Sequence, residues 1–263
     1  MHRPGRCKRS REALSAIHLL IIMLPSERQG AEYVRSTFDR IAHRYDLLNR
    51  IISFRLDAHW RKKAVAAALR GDERLVLDLG TGTGDLALAA ARALQGAGKI
   101  VGLDFSPAML RLAEKKRSRS RHGGRTFFIL GSALSPPFKD ETFDAAMTAF
   151  VLRNIPDLGL FFLQTFRLLK PGGRFVSLDM FPPSRLPFSF FYSLYFYRLV
   201  PWIGASLAHD RAAYQYLSQS VKGFYPPESI AEMIAQTGFG RVRTERFLNG
   251  AVCLHAAEKP TSS

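Results

Sequence analysis

The most informative stretch of the chain is an apolar run that leads directly into three closely spaced glycines. Residues 76–85 read V-L-D-L-G-T-G-T-G-D. Glycine lets the backbone turn sharply and lets a bound molecule touch the main chain. Asp104 follows Gly84 by 20 residues, at the end of the next apolar run, where a carboxylate can accept hydrogen bonds from both hydroxyls of a ribose. These features together predict a nucleoside-binding site.

The glycine spacing and the neighbouring acids favour a cationic nucleoside over a dinucleotide. Nicotinamide-binding folds space their glycines G-x-G-x-x-G, whereas this chain has G-x-G-x-G from Gly80 to Gly84. Asp85, at the start of the next helix, disfavours a pyrophosphate there. S-adenosylmethionine has a ribose, no phosphate and a positive sulfonium, and Asp78 adds to the preference for a cation. The alternative is a glycine-rich turn without a ligand.

Alternating strands and helices must position these residues. The apolar periodicity predicts helices within 32–68 and at 85–94, 107–116, 158–169 and 228–237. Strands are predicted at 75–79, 99–104, 126–131, 143–150, 174–179, 240–247 and 251–256. The run K-P-G-G at 170–173 is a helix stop signal. This order predicts an α/β fold with a doubly wound, mostly parallel sheet.

Composition and charge narrow the class of protein. The chain has 263 residues, of which 47% are apolar and 23% charged, so a wholly disordered or polytopic membrane protein is excluded. Two cysteines, Cys7 and Cys253, cannot build a disulfide framework, and a reducing compartment is expected. The net charge of +16 favours a polyanionic partner, either nucleic acid or an anionic membrane surface.

The first 30 residues differ from the rest and are predicted to be a poorly ordered extension before one domain at 31–263. Basic residues precede a short apolar run at 13–24. A secretory signal would show a small-x-small cleavage site, which is not evident here, and the run is too short to span a bilayer. An organellar presequence and a membrane-surface anchor stay open.

Several motifs resemble one family of enzymes. Residues 38–54 carry Phe38, Ala42, Tyr45-Asp46, Asn49 and Ser53-Phe54, and residues 150–155 read F-V-L-R-N-I. Residues 168–173 read L-L-K-P-G-G, and residues 199–220 contain L-x-P-x-I-G and D-x3-Y-x-Y-L-x2-S. From about Tyr33 to Glu258 the chain is similar to the class I S-adenosylmethionine-dependent methyltransferases. In particular, it resembles the C-methyltransferases of menaquinone and ubiquinone biosynthesis, the UbiE type.

The resemblance implies a Rossmann-like fold with a seven-stranded sheet, a helical N-terminal segment and a late aromatic lid. It also implies S-adenosylmethionine as methyl donor, with Asp104 at the ribose and the backbone of Ala133 at the adenine edge. Together with the glycine loop, the predicted cofactor-binding residues are Asp78, Gly80, Gly82, Thr83, Gly84, Asp104, Ser132 and Ala133. Two departures from the family pattern bear on the cofactor: Ser132 replaces an asparagine or aspartate, and Ala149 replaces a serine. Val151 also departs, since it replaces a glycine of the family's F-G-L-R-N-V motif. No metal is predicted, since no metal-ligand spacing occurs.

The resemblance places Arg153 and Asn154 at the substrate as catalytic residues. Methylation of a quinol ring carbon requires that a ring hydroxyl lose its proton and that the carbon lie in line with the methyl group. A guanidinium is a poor base, so we expect Arg153 to stabilise the phenolate and Asn154 to orient the ring oxygen. Alternatively, Arg153 only caps the sheet edge in an ion pair. His209 and Asp210 are further acid-base candidates.

An aromatic segment and the charge suggest where the enzyme works. Eight aromatic residues fall between 188 and 202, which indicates either a buried lid helix or a lipid contact, and Arg198 argues against a membrane span. Tyr45 and Asp46 either close the pocket or pack helices. The expected partners are a prenylated quinol, an anionic membrane surface and a second copy of the chain, without nucleic acid. A cytoplasmic, peripherally membrane-associated protein is expected.

Other functions stay open at this stage. A class I methyltransferase could act on another lipid, a phenol or RNA, and the basic charge favours RNA while the aromatic segment favours lipid. An α/β binding module without catalysis is also compatible, because Ser132 and Ala149 depart from the family pattern. Benzoquinol and naphthoquinol rings are not distinguished by these motifs.

Overall fold

The computed structural model describes residues 25–95, 97–182, 194–196 and 211–261. Most of the predicted extension, most of the aromatic segment, His209 and Asp210 lie outside these ranges. Seven strands form one sheet in the order β3-β2-β1-β4-β5-β7-β6. The strands are β1 Leu75–Leu79, β2 Lys99–Asp104, β3 Thr126–Leu130, β4 Phe143–Ala149, β5 Leu169–Met180, β6 Gly240–Phe247 and β7 Val252–Glu258.

The sheet is mostly parallel, which confirms the predicted fold class. Strands β1 to β5 pair in parallel, and β7 runs antiparallel to both β5 and β6. All seven predicted strands are present. β5 is longer than expected: it starts at Leu169 and takes in the K-P-G-G run, where Gly172 has a φ of +76°. The K-P-G-G run therefore marks the end of the helix as predicted, but the strand begins before this run and not after it.

Helices cover both faces of the sheet. They are α1 Pro25–Ile52, α2 Leu56–Ala68, α3 Asp85–Ala93, α4 Pro107–Arg119, α5 Leu158–Leu168, α6 Arg211–Lys222 and α7 Pro227–Gln236. α1 begins at Pro25, inside the segment assigned to the extension. The helical pattern of 32–68 is divided by a turn at 53–55, where Phe54 and Arg55 have positive φ angles of 51° and 63°.

Two apolar layers hold the sheet between the helices. Trp60 and Ala64 of α2 and Ala87 of α3 pack with Val76 on one face. Phe161 of α5 and Ile230 of α7 pack on the opposite face. Consecutive residues of β1, such as Val76 and Leu77, point to opposite faces and are both fully buried. This burial on both faces explains why the strands read as continuous apolar runs.

Within the described ranges, no helix has an apolar stretch long enough to cross a bilayer.

Candidate active site

A cavity of about 510 Å³ lies at the carboxyl edge of the sheet. Parallel strands end at the same edge, so the loops after β1, β2, β3 and β4 meet there. The first loop contributes Gly80 and Gly82, and the others contribute Asp104, Ser132–Ala133 and residues 149–156. The structure thus brings together predicted cofactor and catalytic residues that are far apart in the chain.

The three glycines of the first loop serve different purposes. A Cβ on Gly80 would lie 2.6 Å from Cγ2 of Val151, and a Cβ on Gly84 would lie 2.8 Å from the ring of Phe128. Close packing therefore requires glycine at both positions. A Cβ on Gly82 would meet nothing within 4 Å among the described residues. Gly84 does not line the cavity, whereas the backbone at Gly82 leaves space for a ligand.

Asp104 is fixed at the end of β2 by backbone donors. Its Oδ2 accepts from the N–H of Gly82 at 2.7 Å, and its Oδ1 accepts from the N–H of Ser106 at 2.9 Å. Burial raises the pKa of Asp104, and these two bonds act against that rise. A carboxylate has about four acceptor positions, so both oxygens retain room for ribose hydroxyls.

Asp78 is a buried carboxyl group beside the glycine loop. Its Oδ2 accepts from the hydroxyl of Thr81 at 2.7 Å, while its Oδ1 is buried and makes no hydrogen bond within the described part of the chain. Burial raises the pKa of Asp78 to about 7. The group therefore titrates near neutrality and would gain from a cationic partner.

Helix α1 closes one side of the cavity, and Asp46 attaches it to the body of the molecule. The hydroxyl of Thr83 donates to Asp46 at 2.6 Å, and Nζ of Lys116 lies 2.5 Å from both Asp46 and Asp85. Tyr45 lines the cavity, and burial raises its pKa. The structure therefore supports pocket closure by Tyr45 and Asp46.

The residues after β3 lie at the rim of the cavity. Ser132 and Ala133 both line it, as predicted for the adenine end. Ser132 is exposed, and its hydroxyl accepts from the N–H of Leu134 at 3.2 Å. Ala149, the second departure from the family pattern, also lines the cavity.

Arg153 is ion-paired at the sheet edge and also lines the cavity. Its Nη1 lies 2.5 Å from Oδ1 of Asp179 at the end of β5, and its side chain is only 4% exposed. Burial acts against the charge of Arg153, but the carboxylate of Asp179 together with the nearby Tyr45 and Tyr216 more than offsets this, and the net effect raises its pKa. The same side chain lines the cavity, and its Nε is buried without a hydrogen-bond partner among the described residues.

Asn154 is held by contacts on both ends of its amide. The hydroxyl of Tyr216 on α6 donates to its Oδ1 at 3.0 Å, and its Nδ2 donates to the carbonyl of Phe150 at 3.4 Å. Tyr216 and Asn154 both line the cavity. The late segment of the chain thus reaches the predicted catalytic residues through a tyrosine.

Sequence reasoning missed Arg61 as a residue of this site. Its guanidinium is bonded to Asp57 on the same helix, lies 5.3 Å from the ring centre of Phe150 and lines the cavity. On the sequence alone, Arg61 sits in a basic, helical stretch where nothing distinguishes it from Lys62 or Lys63. Only its partner Asp57, four residues earlier, could have suggested a buried ion pair.

Comparison with known proteins relates the chain to one protein family. The model of the ubiE/COQ5 methyltransferase family matches residues 26–259. A demethylmenaquinone methyltransferase of Thermus thermophilus is 41% identical over 85% of this chain and 100% of its own length. A ubiquinone/menaquinone biosynthesis C-methyltransferase UbiE of Geobacter sulfurreducens is 38% identical over 88% of this chain and 90% of its own.

A solved structure of a SAM-dependent methyltransferase from Aquifex aeolicus has a TM-score of 0.57 to this chain. It is 16% identical and covers 78% of this chain and 92% of its own. At that identity the likeness concerns the fold, and it agrees with the Rossmann-like architecture described above.

Proposed function

The chain belongs to the ubiE/COQ5 methyltransferase family, and we propose that it methylates a ring carbon of a prenylated quinol during respiratory quinone biosynthesis, with S-adenosylmethionine as donor. The substrate is demethylmenaquinol or the demethylated precursor of ubiquinol. One observation carries the proposal: a single cavity is lined both by the nucleoside-binding loop with Asp104 and by Arg153 and Asn154.

The residues present fit S-adenosylmethionine at one end of this cavity. The space beside Gly82 admits a ligand against the backbone. Oδ1 of Asp78, which has no partner among the described residues, would accept from the ammonium of the amino acid portion. Asp104 would hold the ribose, and the backbone at Ser132 and Ala133 would meet the adenine. When bound, S-adenosylmethionine supplies an electrophilic methyl group.

The other end of the cavity suits a phenolic ring. The ring hydroxyl must lose its proton so that the adjacent carbon becomes nucleophilic. The Nε–H of Arg153, which has no hydrogen-bond partner among the described residues, can donate to that oxygen and stabilise its negative charge, while the ion pair with Asp179 keeps the guanidinium in place. Asn154 positions the ring through its amide, which Tyr216 holds.

Tyr45 contributes a neutral hydroxyl and a closed wall. Because burial raises its pKa, it stays protonated and can donate a hydrogen bond. Apolar side chains of Phe38 and Ile155 also line the cavity and help to exclude water from it. Exclusion of water strengthens the electrostatic effect of Arg153 and protects the methyl donor from hydrolysis.

We further propose that the enzyme acts at a membrane surface, on the cytoplasmic side in a bacterial cell. A prenylated quinol resides in the bilayer, and a chain with a net charge of +16 is attracted to anionic lipid. Association into a homodimer remains a prediction.

Methyl transfer from labelled S-adenosylmethionine tests the reaction directly. The acceptors are reduced demethylmenaquinone and the demethylated ubiquinol precursor in detergent, with RNA and a simple phenol for comparison. We expect label in a quinol, and the ratio of the two products identifies the ring that the site prefers. Asp104→Ala is the matched variant, and it should lose activity through weaker cofactor binding.

Two results would overturn the proposal. Label in RNA or in the simple phenol but in neither quinol would reassign the acceptor. If neither label transfer nor binding of S-adenosylhomocysteine occurs, the chain would be a binding module without catalysis.

A further inference from the structure

The turn between α1 and α2 displays an unusual set of side chains. Leu47 and Ile51 lie one helical turn apart on α1, and Phe54 and Leu56 follow within five residues. Their exposed fractions are 58% for Leu47, 38% for Ile51, 72% for Phe54 and 38% for Leu56. We call residues 47–62 the α1–α2 junction. Large apolar residues so close together and so exposed indicate an interaction surface.

The backbone of the junction is strained in a way that exposes an aromatic ring. Phe54 and Arg55 both have positive φ angles, a conformation that glycine adopts freely and bulky residues adopt rarely. The turn is closed by a 2.7 Å hydrogen bond from the N–H of Arg55 to the carbonyl of Arg50. A glycine would relieve this strain, but it would also remove the exposed ring. Strain of this kind is more common at functional positions.

Basic side chains adjoin the apolar ones. Arg50, Arg55 and Lys62 are exposed and line one groove of about 890 Å³ beside α2 and α3. Two acids in the groove, Asp57 and Asp85, are already bonded to Arg61 and Lys116. The positive charge of the groove is therefore available to phosphate groups.

The junction also adjoins the reactive end of the cavity. A small second cavity of about 50 Å³ is lined by Ile52, Ser53 and Trp60 near the junction and by Phe150 and Arg153 at the active site. Arg153 and Phe150 line the main cavity as well. The small cavity thus lies between the predicted ring site and the exposed turn, with residues of both in its lining.

Part of the late aromatic segment lies against the same turn. The ring of Tyr195 stacks on Phe54, with centroids 5.6 Å apart, and its hydroxyl donates to the carbonyl of Ile52 at 2.9 Å. Leu194 beside it is 52% exposed. The apolar surface therefore extends from the junction onto residues 194 and 195.

We propose that the α1–α2 junction docks on an anionic lipid bilayer, with Leu47, Ile51 and Phe54 in the interfacial region and Arg50, Arg55 and Lys62 at lipid phosphates. The combination of an apolar tip and adjacent cations matches the two forces that bind peripheral proteins to membranes. RNA would use the cations but not the aliphatic side chains. The inference rests on the proposed function, since it explains how a prenyl chain reaches Arg153 from the bilayer.

Flotation of the full chain with vesicles tests the surface. The vesicles contain phosphatidylglycerol in phosphatidylcholine, or phosphatidylcholine alone. We expect binding to the anionic vesicles that weakens as salt is added. Leu47→Ser should weaken it on the order of tenfold, and so should the double variant Arg50→Gln/Arg55→Gln.

Matched controls separate the junction from general surface effects. Leu163→Ser changes a leucine of similar exposure, 54%, on α5. Arg74→Gln/Lys139→Gln removes two exposed charges at the opposite edge of the sheet. These controls should bind vesicles like the unmodified chain. If they lose as much binding as the junction variants, or if the junction variants bind normally, the proposal is wrong.

A second readout separates this proposal from the proposed function. Methylation of a quinol without a prenyl chain, in solution, reports catalysis alone, and the junction variants should retain it. Failure of the unmodified chain to methylate any quinol would refute the proposed function, whereas the vesicle binding measured by flotation would be unaffected. Binding of the unmodified chain to RNA but not to anionic vesicles would refute the docking surface.

Discussion

Individual residues of the site show how burial sets chemical character. Asp78, Asp104, Tyr45 and Arg153 are all buried around one cavity, yet each has a different set of partners. Backbone donors fix Asp104, whereas Asp78 keeps an oxygen without a partner within the described chain. Within the described chain, Oδ1 of Asp78 and Nε of Arg153 have no hydrogen-bond partner, and we expect a ligand to gain most from these two groups.

Substitution of Arg153 should separate catalysis from cofactor binding. Removal of this residue alone would leave Asp179 buried and unpaired, so we choose the double variant Arg153→Gln/Asp179→Asn. Turnover should fall by a factor of about 10² to 10³, because a donor to the developing phenolate is lost. The dissociation constant for S-adenosylhomocysteine, measured by calorimetry, should stay the same.

Arg174→Gln serves as the control for that variant. Arg174 also lies on β5, where it donates to the carbonyl of Ala67 outside the cavity. Its replacement should leave turnover unchanged. Near-normal turnover in the Arg153→Gln/Asp179→Asn variant would contradict the assignment of Arg153.

Asp78 should make both stability and cofactor affinity depend on pH. Its pKa is about 7 in the folded chain against an ordinary value of 3.8. Between these values the folded state binds more protons than the unfolded state, so the free energy of unfolding falls as pH rises from about 4 to about 7. Cofactor affinity should rise over the upper part of the same range, as the carboxylate becomes charged.

Asp78→Asn tests both effects in one variant. It should raise the melting temperature of the ligand-free chain at pH 8, because a buried charge is removed, and it should weaken binding of S-adenosylhomocysteine. Thermal unfolding and calorimetry across the pH range give the two measurements. A pH dependence of affinity that persists unchanged in the variant would show that another group is responsible.

At the scale of elements, α1 contributes to the site from outside the sheet and its crossover helices. It packs against α4, and Asp46 connects it to the glycine loop and to Lys116. A second bond joins Ser106 to Asp39. Because Thr83 takes part in this network, closure by α1 and binding at the loop are linked.

Asp46→Ala should loosen α1 and weaken the cofactor site together. The network is about a quarter exposed, so we expect a loss of about 1 kcal/mol in the free energy of unfolding. Hydrogen exchange of the backbone amides should become faster in α1 and should stay the same in β4.

Glu228→Ala is the comparison for Asp46→Ala. It removes an ion pair with Arg246 in which both side chains are about half exposed, and it should have almost no effect on stability. Equal exchange rates in α1 of the unmodified chain and of Asp46→Ala would contradict the role of Asp46.

At the scale of the whole molecule, one cavity joins elements from both ends of the described chain. Its lining includes Val34 on α1 and Tyr216 on α6. A ligand bound there contacts several elements at once and stabilises the folded state as a whole. Stabilisation by the cofactor therefore distinguishes a chain with a functional cofactor site from a binding module that no longer binds the cofactor.

S-adenosylhomocysteine should therefore raise the melting temperature of the full chain. At a concentration about 100 times the dissociation constant, binding contributes about 2.7 kcal/mol, which corresponds to a shift of several degrees. Asp104→Ala should abolish most of the shift. No shift in the unmodified chain at saturating ligand would count against the cofactor assignment.

The sequence alone determined the fold class, the strand order along the chain and the glycine loop with Asp104. These features depend on apolar runs, on glycine spacing and on an acid at a strand end. Such local patterns can be recognised in short stretches of sequence. The family motifs likewise predict that Arg153 and Asn154 lie near the substrate.

The tertiary structure decided what those residues touch. The contact of Arg61 with Phe150, the bond from Tyr216 to Asn154 and the Asp46 network unite residues that are far apart in the chain, 62 positions in the case of Tyr216 and Asn154. No local pattern encodes such contacts. The exposed ring of Phe54 depends on a left-handed turn that the helical periodicity of 32–68 conceals. Periodicity reports which side of an element is apolar, whereas packing decides which polar groups meet and which apolar groups remain at the surface.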